Sequence, residues 1–222
     1  MNEVKFEFGG YTATVISPEK PNGKWIWKTE FLHAFEDAEL KLLEMGYTRV
    51  TYGIHNMWGS WRAIRLMHAF HDHVVKEFSL SEKCILFGFS RGGTYAFNYA
   101  LTYPEKVEKV YLDAPVLDLG SITNADRLLV EIYNEYALDK VSVEAHKDSP
   151  VRNLDEFFKN GIPLLIIAGD SDDIVPFDKN AKKLIDFCKE RGIKINSIVK
   201  PGCNHHPHSL TDLTPIIDFI EG

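Results

Sequence analysis

The sequence predicts an α/β protein: a mostly parallel central sheet, an antiparallel N-terminal hairpin at its edge, and helices on both faces. Three observations carry this. From Trp25 onward, short apolar runs alternate with amphipathic helical patterns, and that order sets strands parallel with helices packed on the faces. Two runs, "KCILFGF" and "IPLLIIAGD", are apolar almost throughout rather than at every second residue, as strands covered on both faces require. Ahead of Trp25, "VKFEF" and "YTATVI" alternate on either side of Gly9-Gly10, the pattern of a two-stranded hairpin.

The remaining elements follow in order. "PEKPNGK" is a loop by composition, and "WIW" a short aromatic strand. "EDAELKLLEMG" puts Ala38, Leu42 and Met45 on one helical face and stops at Gly46. "TRVTYGI" reads as a strand, and "SWRAIRLMHAFHDHVVKEF" as a long amphipathic helix that Ser60 can cap. After "KCILFGF" a helix runs from Ser90 to about Tyr103 and ends before Pro104. "VEKVYLDA" is a further strand. Residues 115–161 are less regular, with helical segments around "ADRLLVEIYNEYAL" and "LDEFFKN". "IPLLIIAGD", the helix "NAKKLIDFCKERG", the strand "KINSIVKPG" and the helix "DLTPIIDFIE" complete the chain. The expectation is one domain over residues 1–222, with a short cap-like insertion at 115–161.

Composition narrows the function classes. With 32 acidic against 25 basic residues in 222, the net charge is −7, which argues against nucleic acid or an anionic membrane as partner. No apolar run approaches the length of about 20 residues that a membrane span needs, and "MNEVKFEFGG" lacks a signal-peptide pattern. Cys84, Cys188 and Cys203 are odd in number and widely spaced, so reduced thiols in a cytoplasmic protein are expected. Oligomeric state is not legible.

In sheets of this kind ligands bind beyond the carboxyl ends of the strands, and three loops there carry chemistry. Gly88-Phe89-Ser90-Arg91-Gly92 has the form G-x-S-x-G between an apolar run and a helix. That context suits a sharp strand-to-helix turn exposing the serine hydroxyl, with the Arg91 amide beside it. A tight turn or helix cap is the bland alternative. A serine hydroxyl needs a base, and the base an orienting acid. Asp170, Asp172 and Asp173 follow "IPLLIIAG", and His205, His206 and His208 follow "INSIVKPGCN", in the order serine, acid, histidine. Motif position favours Asp172, with Asp173 next, and His205. His206 and His208 either shape the pocket or cap a helix near Ser209.

With "GFSRGG", "GDSDDIVP" and "PGCNHHPHS" in place, the chain resembles the α/β-hydrolases over almost its whole length. It is most similar to bacterial esterase-like and prolyl-oligopeptidase-like members without a propeller. The resemblance implies the α/β-hydrolase fold, Ser90 as nucleophile, Asp172 as acid and His205 as base, with no cofactor and no metal. Asn204 stands where the family usually has glycine. The family's glycine run after its third strand is also missing, so the second oxyanion amide is expected from Lys28 or Thr29. Trp58, in "HNMWGS", is a candidate wall residue or a surface-packed one. Tyr133, Tyr136, Phe157 and Phe158 are further wall candidates from the insertion.

The expected activity is a serine carboxylesterase on a small, soluble, short-acyl ester, an acetylated sugar being one form. A peptidase or acyltransferase would use the same triad; no acceptor set to hold a peptide terminus stands out, although Glu30 and Asp118 are unplaced. A non-catalytic binding module is a third reading. A hydrolytic metal site built on the three late histidines, or on His68, His71 and Asp72, matches no strong zinc spacing.

Overall fold

In a computed structural model, which describes residues 1–122 and 126–222, the opening alternation becomes a hairpin. Strands β1 (Asn2–Phe8) and β2 (Tyr11–Ser17) pair antiparallel, with Phe8 opposite Tyr11. Strand β3 (Trp25–Lys28) is buried along its length. Helix α1 (Asp37–Glu44) buries Ala38, Leu42 and Leu43, and the turn at Gly46 leads into β4 (Thr48–Tyr52). Met45, expected on the buried face, is instead exposed just beyond the helix.

Helix α2 (Trp61–Phe78) opens on Ser60, whose Oγ accepts from the Ala63 amide, so the cap expected from sequence forms. Strand β5 (Cys84–Phe89) is buried at all six positions, and α3 (Gly92–Thr102) starts almost at once. Strand β6 (Val107–Asp113) follows. The 115–161 stretch then contributes α4 (Asp126–Tyr136), α5 (Leu154–Lys159) and single 3-10 turns. Strand β7 (Leu164–Gly169), α6 (Ala181–Arg191), β8 (Asn196–Lys200) and α7 (Thr214–Glu221) complete the order.

The eight strands form one sheet in the order β1-β2-β4-β3-β5-β6-β7-β8. Only the β1–β2 and β2–β4 pairings are antiparallel, and every pairing from β4 through β3 to β8 is parallel. This is the mostly parallel sheet with an antiparallel hairpin edge that the sequence predicts, and it is an α/β-hydrolase fold. Alternate side chains of the central strands point to opposite faces. Leu86, Leu112 and Ile166 enter one core with Phe70 and Phe97, while Ile85, Phe87 and Ile167 enter the other with Ile216 and Ile220. Burying side chains of this size contributes about 1.5–3 kcal/mol each, so the middle of the sheet is its most firmly held part. The strand that ends at Ser90 lies there.

Candidate active site

The turn between β5 and α3 is tight because glycines flank the serine. A Cβ on Gly88 would lie 2.8 Å from the Ala96 Cβ, and one on Gly92 would lie 2.9 Å from the Thr29 Oγ1. Ser90 itself has φ of 51°, a left-handed conformation that costs a non-glycine residue about 1–2 kcal/mol. Three backbone hydrogen bonds hold it there. Its amide donates to the Asp113 carbonyl (3.0 Å), and its own carbonyl accepts from Gly93 (2.9 Å) and Val116 (2.8 Å).

The loops after β7 and β8 bring the other two groups. His205 Nε2 lies 3.1 Å from Ser90 Oγ, and His205 Nδ1 lies 2.7 Å from Asp172 Oδ2. The second carboxylate oxygen, Asp172 Oδ1, accepts from the Ile174 (3.0 Å) and Val175 (2.8 Å) amides. With its other oxygen taken by two N–H donors, the carboxylate accepts a hydrogen bond from Nδ1–H through Oδ2, which leaves Nε2 as the acceptor facing the serine. Asp172 and His205 are both buried.

The neighbouring candidates have other partners. Asp170 Oδ1 accepts from the Gly202 amide, and the Asp173 amide donates to Asn204 Oδ1. That same oxygen accepts from the His205 amide at 2.6 Å. Asn204 therefore ties the histidine loop to the acid loop, a task that glycine has no side chain to perform. Gly169, at the end of β7, lets the two loops touch: a Cβ there would sit 2.1 Å from the Cys203 carbonyl oxygen.

The Arg91 amide at the start of α3 donates to no protein acceptor among the described residues. The expected partners for it need correction. The Thr29 amide donates to the Phe87 carbonyl at 3.1 Å, because the β3–β5 ladder extends one residue past the strand. Lys28 lies inside β3 opposite Phe87. The next amides, of Glu30 and Phe31, donate to no protein acceptor among the described residues, and Phe31 borders the cavities beside Ser90.

Lys28 acts through its side chain instead. Buried beside Glu39 (2.9 Å), it also donates to the Ala34 carbonyl, while Arg49 Nη2 donates to the Leu32 carbonyl (3.0 Å). These two cations hold the 31–36 loop in place. Burial pulls the Lys28 ammonium below its usual range and pushes the Glu39 carboxyl up, with each opposing the other's shift as partner.

Two cavities meet at Ser90. One, about 260 Å³, is walled by Trp58, Val116, Ile122, Leu128 and Val175, with Arg91 at its edge. The other, about 210 Å³, lies on the His205 side and is walled by Phe35, Phe89, His206 and His208. Trp58 is thus both buried and a wall. Its Nε1 donates to Glu131 of α4, and its carbonyl accepts from Tyr136. His206 stacks on Phe35 with centroids 5.5 Å apart. Burial and its two histidine neighbours lower its pKa. Neither His206 nor His208 caps a helix, since α7 starts only at Thr214. His208 Nδ1 pairs with Asp113 at 2.7 Å, a contact that sequence reasoning missed.

The aromatic candidates of the insertion lie elsewhere. Phe157 stacks on Phe97 in the core, Phe158 on Phe187, and Tyr133 borders a separate surface cavity. From the 115–161 stretch, Ile122 and Leu128 line the cavity that opens at Ser90. All three cysteines are free, with Cys84 and Cys188 buried. No helix among the described residues is long and apolar enough to cross a membrane.

This fold, with a serine at the β5–α3 turn, is that of the α/β-hydrolases. Residues 53–221 match the prolyl oligopeptidase family, peptidase S9, and the chain belongs to that family. A search of curated protein sequences found no match. Among solved structures, the S-formylglutathione hydrolase of Staphylococcus aureus is similar at 18% identity and a TM-score of 0.69, over 99% of this chain and 95% of that one. The acylaminoacyl peptidase of Pyrococcus horikoshii is similar at 15% and 0.71, over 92% of this chain and 37% of that one. A puromycin-hydrolysing peptidase of Mycobacterium tuberculosis is similar at 13% and 0.66, over 88% of this chain. This chain spans only 34% of that peptidase's length. At these identities the likeness concerns the fold.

Proposed function

We propose that the protein is a carboxylesterase acting on small, short-acyl esters through Ser90, His205 and Asp172. The observation that carries the reading is the unbroken hydrogen-bonded line from Ser90 Oγ through His205 to Asp172. His205 Nε2 takes the Ser90 proton as the oxygen attacks the ester carbonyl, and Asp172 stabilises the imidazolium that forms. The Arg91 amide and an amide of the Glu30–Phe31 turn receive the negative oxygen. The alcohol leaves with the proton from His205, and water then releases the acid by the same route.

His205 must reach the leaving oxygen, so the alcohol belongs on its side and the acyl group in the apolar cavity beside Trp58. About 260 Å³ favours short chains over long ones. Family membership keeps a peptidase reading open, and one observation weighs against an aminopeptidase form of it. Such an enzyme needs a free carboxylate for the substrate's ammonium group. Glu30 Oε1 lies 3.3 Å from Arg91 Nε and its Oε2 2.8 Å from His55 Nδ1, while Asp118 pairs with Lys183 at 2.9 Å. Both carboxylates are already ion-paired, although Glu30 Oε1 accepts no hydrogen bond among the described residues.

The test is hydrolysis of p-nitrophenyl acetate, butyrate and octanoate by wild type and Ser90→Ala. Activity that falls with acyl length and is lost in the variant supports the reading. Peptide cleavage at Ser90 with no ester cleavage would replace it with the peptidase.

A further inference from the structure

The cavity on the His205 side has a construction of its own. Its walls include Phe31, Phe35 and Phe89 together with the rings of His206 and His208. Phe35 and His206 lie nearly parallel, 17° apart, and Phe89 and His208 stack at 5.3 Å. Flat apolar faces of this kind suit a ring-shaped guest.

Among these aromatic surfaces stands a fixed polar atom. Asp113 Oδ1 accepts from His208 Nδ1 at 2.7 Å, and Asp113 Oδ2 accepts from the Ser209 amide at 2.8 Å and from the Tyr111 hydroxyl. Asp113 is fully buried, and a carboxylate with three donors is held as an acceptor. With the Nδ1–H directed at Asp113, the acceptor position of the neutral imidazole is Nε2, on the ring that lines the cavity. The Ser90 line does not use this atom. His208 contacts His205 only ring to ring, with centroids 4.8 Å apart.

Resting on the esterase reading above, we propose that this cavity holds the leaving group, that the leaving group is a cyclic polyhydroxy alcohol, and that His208 Nε2 accepts a hydrogen bond from one of its hydroxyls. The bond between the acyl carbon and the exocyclic oxygen on a ring carbon breaks, and that oxygen leaves with the proton from His205. His208 exchanges no proton and contributes to selectivity alone.

The test compares two acetates of secondary ring alcohols, a mono-O-acetyl methyl xyloside and cyclohexyl acetate, which differ in ring hydroxyls. Wild type should prefer the xyloside ester in kcat/KM. His208→Asn keeps an N–H for Asp113 and removes the Nε2 position. It should reduce that preference roughly 3- to 10-fold, the worth of one neutral hydrogen bond. An unchanged preference in the variant, or a wild type that prefers cyclohexyl acetate, overturns the proposal. If the variant does not fold, wild type alone decides. Methyl xyloside should then inhibit p-nitrophenyl acetate hydrolysis competitively and several-fold more strongly than cyclohexanol, and equal inhibition overturns the assignment. Fluorophosphonate labelling of wild-type Ser90 separates the two readings. No labelling removes the triad and this proposal together, whereas labelling with an unchanged preference removes only the role of His208.

Discussion

Gly169→Ala should disable the protein without touching any residue of the proposed triad. Gly169 ends β7, and the methyl group of alanine would fall 2.1 Å from the Cys203 carbonyl oxygen and 2.7 Å from that of Asn204. Ordinary contact lies at 3.4 Å or beyond, so one of the two backbones must retreat by about 1 Å, a distance at which catalytic misplacement costs on the order of 100-fold. The strand is fixed on both sides, by β6 and β8, so the histidine loop is what moves. That shift lengthens the 3.1 Å contact between His205 and Ser90. Gly161→Ala is the comparison: its φ is +67°, but a Cβ there meets nothing within 4 Å. It should cost about 1–2 kcal/mol of stability and leave turnover near wild type. The assay is kcat/KM on p-nitrophenyl acetate beside urea unfolding for both variants. A Gly169→Ala protein that is folded and within threefold of wild-type activity would refute the argument that this close approach aligns the base.

Other outcomes follow from the same geometry. Asp172→Asn should lower kcat on the order of 10⁴-fold by releasing the His205 tautomer, and single-turnover ester cleavage checks it; a loss under tenfold removes Asp172 as the acid. Leu128→Phe narrows the cavity beside Trp58 from the surface of α4, so the butyrate-to-acetate ratio in kcat/KM should fall at least roughly fivefold. An unchanged ratio would take the acyl group out of that cavity. His71 is fully buried against Trp25 and Trp27, and burial lowers its pKa. The unfolded chain then binds the proton first, so this stability contribution is complete above about pH 6.5 and is lost as the pH falls toward the folded-state value. Urea midpoints at pH 7.5 and 5.5 should differ less in His71→Leu than in wild type; equal differences would show that another group titrates.

What the sequence disclosed depended on whether the determining contacts were local. The serine turn was legible because its glycines, strand and helix are contiguous, and strand-end position pointed to the aspartate and histidine that line up with the serine. The second oxyanion amide was misplaced because a bond to Phe87, far along the chain, decides where the β3 ladder stops. No spacing rule links His208 to Asp113, which are 95 residues apart. The aromatic residues of the insertion show the same limit. Helical periodicity indicates that one face is buried, but it does not say whether that face meets the core or the cavity. Phe157 went to the core, whereas Ile122 and Leu128, which carried no signal, line the cavity beside Ser90.

The separation of 115 positions between Ser90 and His205 also sets an order in time. As the chain is made, the β5–α3 turn can form around the serine while its proposed base has yet to be synthesised. Only after β8 pairs with β7 can the following loop carry His205 to the serine, and until then Ser90 has the reactivity of any surface hydroxyl. Covalent capture by a fluorophosphonate would therefore time the docking of the last strand, not the collapse of the core. In a refolding experiment it should lag behind the recovery of secondary structure, and so make the nucleophile a built-in clock for the final step of assembly.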